Sequence, residues 1–249
     1  MTTTATKPDS DEITDPAESI LHAQGLQWLI ADKAIVSAVS LQLRKGEIVG
    51  LLGLNGAGKS TTLKLLCGML APDSGSVVVN GYDMADSPLQ ARAQIGFLPD
   101  QPPIYNDMRV SEYLTLCAQI RGLKGNTLHN SMRKVIERCS LGEVRRKIIA
   151  GLSKGYRQRL GLAQAIIHEP PVIILDEPGN GLDPQQQENM HTLIRELGQR
   201  HAIVFSTHIL SEAKSTCTRV ALMQNGSLIS DSLSPNDNLT ALFHQDNDG

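Results

Sequence analysis

The sequence predicts an α/β protein with a mixed β-sheet at its core. Two short, continuously apolar runs that are rich in β-branched residues, at 171–175 and 202–206, are typical of strands covered on both faces. Segments with apolar residues at helical spacing lie between such runs, and the glycine-rich stretch "GLNGAGKST" at 53–61 directly follows a third apolar run. Strands that alternate with helices favour this class over a β-sandwich or a helical bundle.

The first elements along the chain surround the glycine-rich stretch. The run "EIVGLL" at 47–52 predicts a strand, and "KSTTLKLLCGML" at 59–70 predicts a helix directly after the loop. The pair Asn80-Gly81 ends the apolar run "SVVVN" and is a signal for a tight turn between two strands. We therefore expect a strand, a helix and a hairpin in the first third of the chain.

The middle of the chain predicts an inserted helical subdomain at about 102–165. No convincing strand occurs between 102 and 150, and the segments 110–123 and 131–141 have the apolar spacing of amphipathic helices. The α/β pattern then resumes at 171. We expect this subdomain to interrupt the sheet-forming part of the chain.

The last elements are a helix and a second hairpin. Pro184 is suited to the first turn of a helix, and the apolar residues that follow form one stripe, Met190, Leu193, Ile194 and Leu197. Asn225-Gly226 separates "VALMQ" from "SLIS" and predicts a hairpin turn. The domain is therefore expected to span 19–230.

Both ends of the chain predict acidic tails. Residues 1–18 contain five acidic residues and one lysine and little that could be buried, so we expect a disordered tail. Residues 231–249 contain four acidic residues and no lysine or arginine, with a short helix expected at 238–243. The net charge of −3 leaves the body only mildly basic, and aromatic residues make up 3% of the chain, so nucleic-acid binding is not indicated.

Composition also indicates the cellular compartment of the protein. No apolar run approaches the roughly 18 residues expected of a membrane-spanning helix, and the N-terminus lacks the apolar centre of a secretory signal. The four cysteines are far apart and form no Cys-x-x-Cys pair, so neither a zinc site nor a disulfide framework is indicated. We expect a protein that stays in the compartment where it is made.

The glycine-rich stretch predicts a phosphate-binding loop. Gly53, Gly58, Lys59 and Ser60 match G-x-x-x-x-G-K-[ST] between a predicted strand and a predicted helix, which is the structural setting of that motif. Glycines allow successive backbone N–H groups to face the phosphates, a lysine supplies positive charge, and a serine hydroxyl can bind Mg²⁺. A nucleotide is therefore the expected ligand.

Polar residues follow the two predicted core strands. Asp176 and Glu177 come after 171–175, and His208 comes shortly after 202–206. Ligands of open α/β sheets bind at the carboxyl ends of the strands, so we expect these side chains at the same edge. Asp176 would hold Mg²⁺ through its water shell, and Glu177 would orient an attacking water or accept its proton.

A second anion-binding pattern occurs in "AGLSKGYRQRLGLAQA" at 150–165. Ser153 and Gly155 stand at the predicted start of a helix, where unpaired N–H groups and the helix dipole favour an anion. The chain already contains a phosphate loop, so the residues by themselves do not explain a second site.

Together, "GLNGAGKST", "LSKGYRQRLGLAQA", "VIILDEPGNGLDP" and "STHIL" resemble, in order and spacing, the ATP-binding subunits of ABC transporters. The resemblance covers roughly residues 20–230. It implies a P-loop NTPase core of the ABC ATPase type, with an antiparallel β edge and an inserted helical subdomain. It also implies two copies that meet head to tail with ATP between them, which would explain the second anion-binding pattern.

The resemblance assigns roles by position. Asp176 and Ser60 would bind Mg²⁺, Glu177 would be the catalytic carboxylate, and Lys59 and His208, the switch histidine, would stabilise charge on the γ-phosphate. The nucleotide would be held in the Walker A loop by Gly53, Asn55, Gly56, Ala57, Gly58, Lys59, Ser60 and Thr61.

Residues that reach the partner's nucleotide are implied in the same way. The signature residues Ser153 and Gly155 would contact the γ-phosphate of the ATP bound by the other copy. The D-loop, residues 180–183 ending in Asp183, would cross the dimer interface. Each nucleotide would then require both copies.

Several positions depart from the family pattern. The signature reads "LSKGY" at 152–156 rather than the commoner "LSGGQ", and it keeps Ser153 and Gly155. The Q-loop glutamine, which senses Mg²⁺ and the permease, falls on Asp100, with Gln101 one residue later, so either could bind the metal and nucleotide. The aromatic residue that stacks on adenine falls on Ile30, so stacking would be weak or supplied by Trp28. Gly179 stands where a threonine or serine is usual.

The resemblance implies an ATPase on the cytoplasmic face of the cell membrane. It would use ATP and Mg²⁺, dimerise with a second copy and dock on a separate integral membrane permease. The stretch "FLPDQPPIYNDMRVSEYL" is most similar to ATPases paired with ABC-2 type permeases, many of which are exporters. A soluble ABC-type ATPase acting on nucleic acid or ribosomes is the alternative, and a P-loop kinase or small GTPase fails to explain the helical insertion.

Overall fold

The computed structural model describes residues 19–235, and within that range the strands form a four-stranded and a six-stranded sheet. The predicted tail at 1–18, most of the predicted tail after 230 and the predicted helix at 238–243 lie outside the described residues. The strands are β1 Ser19–Ile30, β2 Lys33–Arg44, β3 Ile48–Leu52, β4 Ser74–Val79, β5 Tyr82–Asp83, β6 Ile95–Leu98, β7 Val172–Asp176, β8 Ala202–Thr207, β9 Arg219–Gln224 and β10 Ser227–Leu233. The helices are α1 Lys59–Leu66, α2 Pro88–Ala93, α3 Val110–Ile120, α4 Gly125–Arg138, α5 Lys154–Ile166, α6 Pro184–Gly198 and α7 Leu210–Thr216.

The six-stranded sheet confirms the predicted mixed architecture. Its order is β10-β9-β3-β8-β7-β6, with β9, β3, β8, β7 and β6 parallel and β10 antiparallel at one edge. The predicted turn at Asn225 and Gly226 joins β9 to the edge strand β10, and both residues have positive φ, 45° and 84°. The edge strand β10 continues to Leu233, beyond residue 230, where the sequence predicts the start of the C-terminal tail.

The four-stranded sheet is antiparallel, in the order β2-β1-β4-β5, and the turn at Asn80-Gly81 joins β4 to β5 as predicted. The long strands β1 and β2 were not located individually from sequence, although the resemblance implies an antiparallel β edge. Register shifts interrupt the pairing of β1 between Ala23 and Leu26 and again near Trp28, so its residues do not alternate regularly between two faces. An irregular strand of this kind gives no clean period-two signal.

The inserted helices α3 and α4 confirm the predicted helical subdomain, with changed boundaries. Helix α4 begins at Gly125, whereas the sequence predicts a start near 131. The prediction begins too late because most of the first turns of the helix are exposed and carry little apolar periodicity. Helix α1 ends at Leu66 rather than 70, because Gly68 takes a left-handed conformation with φ of 64°. A left-handed glycine just after the last turn is a common helix stop.

The large sheet is covered on both faces, because alternate residues of its central strands face two different apolar clusters. Ile173 and Leu175 of β7 pack with α5, α6 and the helical subdomain, whereas Val172 and Ile174 pack with α1 and the four-stranded sheet. Strand β8 follows the same rule, with Ile203 and Phe205 on the first side and Val204 on the second. This double burial explains the continuous apolar runs in the sequence. Among the described residues, no helix is long and apolar enough to cross a membrane.

Gly96 in β6 offers a test of this packing. A methyl group there would overlap the carbonyl oxygen of Ala165 in α5 and approach Pro170 Cγ at 2.9 Å, so we expect Gly96→Ala to lower the free energy of unfolding by about 1–3 kcal/mol. Gly142→Ala is the matched control, since nothing lies within 4 Å of its added methyl and its φ is not positive. Denaturant unfolding measures both variants, and an equal stability of the two would contradict the packing described.

Candidate functional site

The phosphate loop at 53–61 joins β3 to α1 at the carboxyl end of the parallel strands. Gly58 precedes the helix with φ of 100°, and a Cβ there would lie 2.7 Å from the carbonyl oxygen of Ile35. The N–H of Gly53 donates to the carbonyl oxygen of Thr207 at the end of β8, over 3.3 Å. The loop is therefore fixed at both ends, and at Gly58 both the conformation and the close contact require glycine.

Lys59 lies inside the loop. Its side chain is buried, with 5% of the residue exposed, and Nζ donates to the carbonyl oxygens of Gly53 at 2.8 Å and Leu54 at 3.0 Å. Burial lowers the pKa of the Lys59 ammonium, while the nearby carboxylates of Glu177 and Asp176 oppose that shift. Nζ is 3.9 Å from Glu177 Oε1, so the lysine connects the loop with the end of β7.

Asp176 is the residue on which two other elements converge. Its Oδ1 accepts hydrogen bonds from Ser60 Oγ of α1 at 2.9 Å and from Ser206 Oγ of β8 at 2.7 Å, and the residue is 4% exposed. Ser206 Oγ in turn accepts from the backbone N–H of Glu177 at 3.0 Å. A carboxylate with a hydroxyl 2.9 Å away offers the hard oxygen ligands that Mg²⁺ prefers, so Ser60 and Asp176 fit the metal that the fold implies.

Glu177 and His208 face each other across the ends of β7 and β8. His208 Nδ1 is 3.3 Å from Glu177 Oε1, the oxygen that also faces Lys59. Glu177 has φ of 45°, a left-handed conformation that costs a non-glycine residue about 1–3 kcal/mol and is often found at functional sites. The structure thus brings together five of the residues predicted from sequence, namely Lys59, Ser60, Asp176, Glu177 and His208.

The remaining Walker A residues line the same loop. Asn55 and Gly56 are exposed, Ala57 is buried, and Ser60 and Thr61 are half-buried. The carbonyl oxygen of Ala57 accepts from the N–H of Gly226 at 3.0 Å, so the turn between β9 and β10 supports the loop from behind. The open side of the loop is the side on which phosphates would bind.

The signature residues belong to a different part of the surface. Ser153 is the N-cap of α5, where its Oγ accepts from the N–H of Tyr156 at 3.5 Å. Gly155 is buried against Gln186 of α6, whose first turn is capped by Asp183 Oδ1 accepting from the N–H of Gln186 at 2.9 Å. The signature helix therefore begins next to the end of the D-loop of its own chain.

The Q-loop position and the adenine-stacking position are two places where the sequence departs from the family pattern. Asp100 Oδ1 accepts from Asn180 Nδ2 at 3.0 Å, which connects the Q-loop position to the D-loop. Gln101 is exposed, and Trp28 is half-buried on β1 opposite Val36, with its ring against the core. Ile30, at the end of β1, is 52% exposed. A metal-binding role for Gln101 and adenine stacking by Trp28 stay predictions.

Sequence reasoning missed Ser206, which joins Asp176 to the backbone of Glu177. It is fully buried in a strand whose other residues are almost all apolar. A hydroxyl at the carboxyl end of a continuous apolar run is the signal that would have identified it, because buried polar groups require partners.

Comparison with known proteins places this geometry in a family. The family model described as "ABC transporter" matches residues 36–180, which include the phosphate loop, the signature helix and the end of β7. The chain is 40% identical over 193 residues to the ABC transporter ATP-binding protein YxlF of Bacillus subtilis (strain 168), covering 78% of this chain and 64% of the relative. It is 34% identical over 208 residues to Nod factor export ATP-binding protein I of Ralstonia nicotianae (strain ATCC BAA-1114 / GMI1000), covering 83% and 65%.

Solved structures agree with the sequence comparisons. The structure titled as an ATP binding subunit of an ABC transporter superimposes with a TM-score of 0.80 at 30% identity, covering 91% of this chain and 95% of that one. The two sequence relatives are longer, since the matched part spans less than two thirds of each.

The adenine-stacking role that the resemblance gives to Trp28 can be tested by substitution. If Trp28 stacks on adenine, Trp28→Ala should weaken ATP binding about tenfold, because an aromatic ring stacked on a base contributes about 1–3 kcal/mol. Trp28→Phe should retain most of the affinity, since it keeps an aromatic face. Equilibrium titration with ATP under non-hydrolysing conditions measures both, and an unchanged affinity of Trp28→Ala would mean that other groups hold the adenine.

Proposed function

This chain belongs to the ABC transporter family through its ATP-binding domain, and we propose that it binds and hydrolyses ATP to drive a membrane transporter. The proposal depends on one observation above all. Five side chains meet at the carboxyl end of the parallel strands: Lys59, Ser60, Asp176, Glu177 and His208. These side chains supply positive charge for the phosphates, a metal-binding pair and a carboxylate that can orient the attacking water, which are recurring parts of sites that transfer a γ-phosphoryl group.

Each group has a chemical task in hydrolysis. Backbone N–H groups of the phosphate loop and Lys59 hold the β- and γ-phosphates, and Ser60 with Asp176 holds the metal. Mg²⁺, when bound, supplies positive charge that neutralises the phosphate oxygens. Glu177 orients the attacking water and accepts its proton, and its 3.3 Å contact with His208 keeps the histidine beside the reacting group. Lys59 and His208 then stabilise the charge that develops on the phosphoryl oxygens.

The second anion-binding pattern supports a head-to-tail dimer. Ser153 is exposed at the start of α5, whereas Lys59, Asp176 and Glu177 are buried or half-buried at the end of the sheet. A helix start with an exposed hydroxyl can complete the phosphate site of a second copy. In this arrangement Ser153 and Gly155 bind the γ-phosphate of the partner's ATP, and Asp183 lies at the shared interface.

The transport role follows from the family and from the relatives' names. An ATP-binding subunit of this family works with a separate integral membrane permease, which would hold this chain on the cytoplasmic face of the membrane. The relative named as a Nod factor export protein and the likeness to ABC-2 type ATPases support export as the direction. Relatives named for transport also favour this function over that of a soluble ATPase acting on nucleic acid.

Replacing Glu177 tests the catalytic assignment. We expect Glu177→Gln to bind ATP with nearly unchanged affinity and to hydrolyse it at least about a hundredfold more slowly, because the amide cannot accept the water's proton. The variant should accumulate as an ATP-bound dimer, which size-exclusion chromatography would detect. Glu143→Gln, in an exposed turn of the helical subdomain, is the control and should hydrolyse ATP normally. A normal rate for Glu177→Gln would overturn the assignment.

Replacing Ser153 tests the role across the dimer. We expect Ser153→Arg to leave ATP binding by the monomer within about twofold and to abolish ATP-driven dimerisation, because the large side chain would occupy the partner's phosphate site. The comparison should be made in the Glu177→Gln background, where hydrolysis does not disperse the dimer. Ser76→Arg places the same side chain on an exposed serine of β4 and should dimerise normally. Dimerisation by Ser153→Arg would argue against the partner role of this helix.

A further inference from the structure

A buried carboxylate lies behind the switch histidine. Glu212, in the first turn of α7, is 7% exposed, and its Oε2 accepts a hydrogen bond of 2.5 Å from Thr207 Oγ1. The same hydroxyl accepts from the backbone N–H of Ile209 at 3.0 Å. Thr207 and Ile209 are the two neighbours of His208. The carboxylate therefore holds, through one hydroxyl, the backbone on both sides of the histidine.

The other oxygen of this carboxylate faces a histidine from a different helix. His191 of α6 is 5% exposed, and its Nε2 lies 3.5 Å from Glu212 Oε1. Both atoms are buried, and within the described residues neither has a hydrogen-bond partner of standard geometry. Removing either side chain would leave the other polar group buried with no polar atom opposite it, which is unfavourable. The two residues therefore depend on each other.

Gly179 explains why this pair fits. A Cβ at this position would lie 2.9 Å from Glu212 Oε1 and 3.6 Å from His191 Nε2, so the space next to the carboxylate exists because the residue is glycine. Here the imidazole of His191 supplies the polar group that faces the carboxylate.

The charges around Glu212 are consistent with an ionised carboxylate. Burial raises its pKa, but His191, the Thr207 hydroxyl and the charge of His208 lower it by more, so the pKa lies below its ordinary value. A negative charge at this position favours an N–H of His191 directed at Oε1.

We propose that Glu212 and His191 are positioning residues that fix the turn carrying His208 and connect it to α6. This inference rests on the proposed role of His208 in hydrolysis. Helix α6 begins directly after the D-loop at Asp183. The turn that carries His208 is thus connected, through Glu212 and His191, to the helix that follows the D-loop. The position of His208 therefore depends on the position of α6.

A double-mutant cycle tests the connection in the full-length chain. We expect Glu212→Ala and His191→Leu each to lower kcat about tenfold with the dissociation constant for ATP within about twofold, because His208 is displaced while the phosphate loop is intact. The double variant should also lose about tenfold rather than a hundredfold, since both changes break one connection. His191→Gln should recover most of the rate, because its amide nitrogen is the same number of bonds from the backbone as His191 Nε2.

A second buried histidine provides the matched control. His201 is 6% exposed and its Nδ1 lies 2.6 Å from the carbonyl oxygen of Pro170, before the start of β8 rather than after its end. His201→Leu should lower the thermal midpoint of unfolding much as His191→Leu does, yet leave kcat within about twofold. A rate loss in His201→Leu equal to that in His191→Leu would reduce His191 to a stability residue and overturn the proposal.

Further outcomes separate this inference from the proposed function. If His208→Ala keeps full activity, the histidine has no role in hydrolysis. That result would overturn the proposed role of His208 and, with it, the positioning role that rests on it. A slow His208→Ala variant, together with rate losses that multiply in the double variant, would overturn the positioning role alone. If Glu212→Ala does not fold, the two His191 variants decide the question, and equal rates of His191→Gln and His191→Leu would overturn it.

Discussion

The site depends on one constraint: a single carboxylate oxygen of Asp176 accepts hydrogen bonds from two serine hydroxyls. Ser60 belongs to the helix after the phosphate loop, Ser206 to the strand that leads to the switch histidine, and Asp176 ends the strand between β6 and β8. A buried carboxylate must be hydrogen-bonded, so each of the two serines satisfies Asp176 and is positioned by it. Because Asp176 connects α1 with β8, it fixes the distance between the phosphate loop and the residues that act on the γ-phosphate.

Strand burial makes that spacing rigid. The three central strands β3, β8 and β7 are buried on both faces, and their registers align Leu52 with Thr207 and Asp176 with Ser206. The ends of these strands have little freedom to move together or apart, because close-packed protein interiors have low compressibility. The phosphate loop, the acid pair and the histidine can therefore be positioned by backbone pairing, with only short side-chain contacts between them.

The sequence was sufficient to predict the parts of this arrangement that local chemistry determines. The phosphate loop, the two core strands, the hairpin at Asn225 and the helix at Pro184 all carry signals within a few residues, and each is present. Strands β1 and β2 were not located individually, since their irregular pairing removes the alternation that identifies a half-exposed strand. Contacts between distant segments were also missed. Ser206 with Asp176, Asn180 with Asp100 and His191 with Glu212 join residues brought together by the fold, and no single segment of sequence encodes such a pair.

The surroundings of the signature helix explain where its sequence is free to vary. Gly155 is enclosed, because a Cβ there would lie 2.5 Å from Gln186 Oε1, whereas the neighbouring Lys154 is exposed and Tyr156 is half-buried. This chain departs from the commoner signature at those two neighbours and keeps the enclosed glycine. Drift of the motif in related chains should follow the same division, with side-chain identity changing where solvent allows it and backbone shape retained where a second helix is in contact. A search for such proteins that requires the full signature would then miss genuine members, whereas one that requires the serine and the enclosed glycine would keep them.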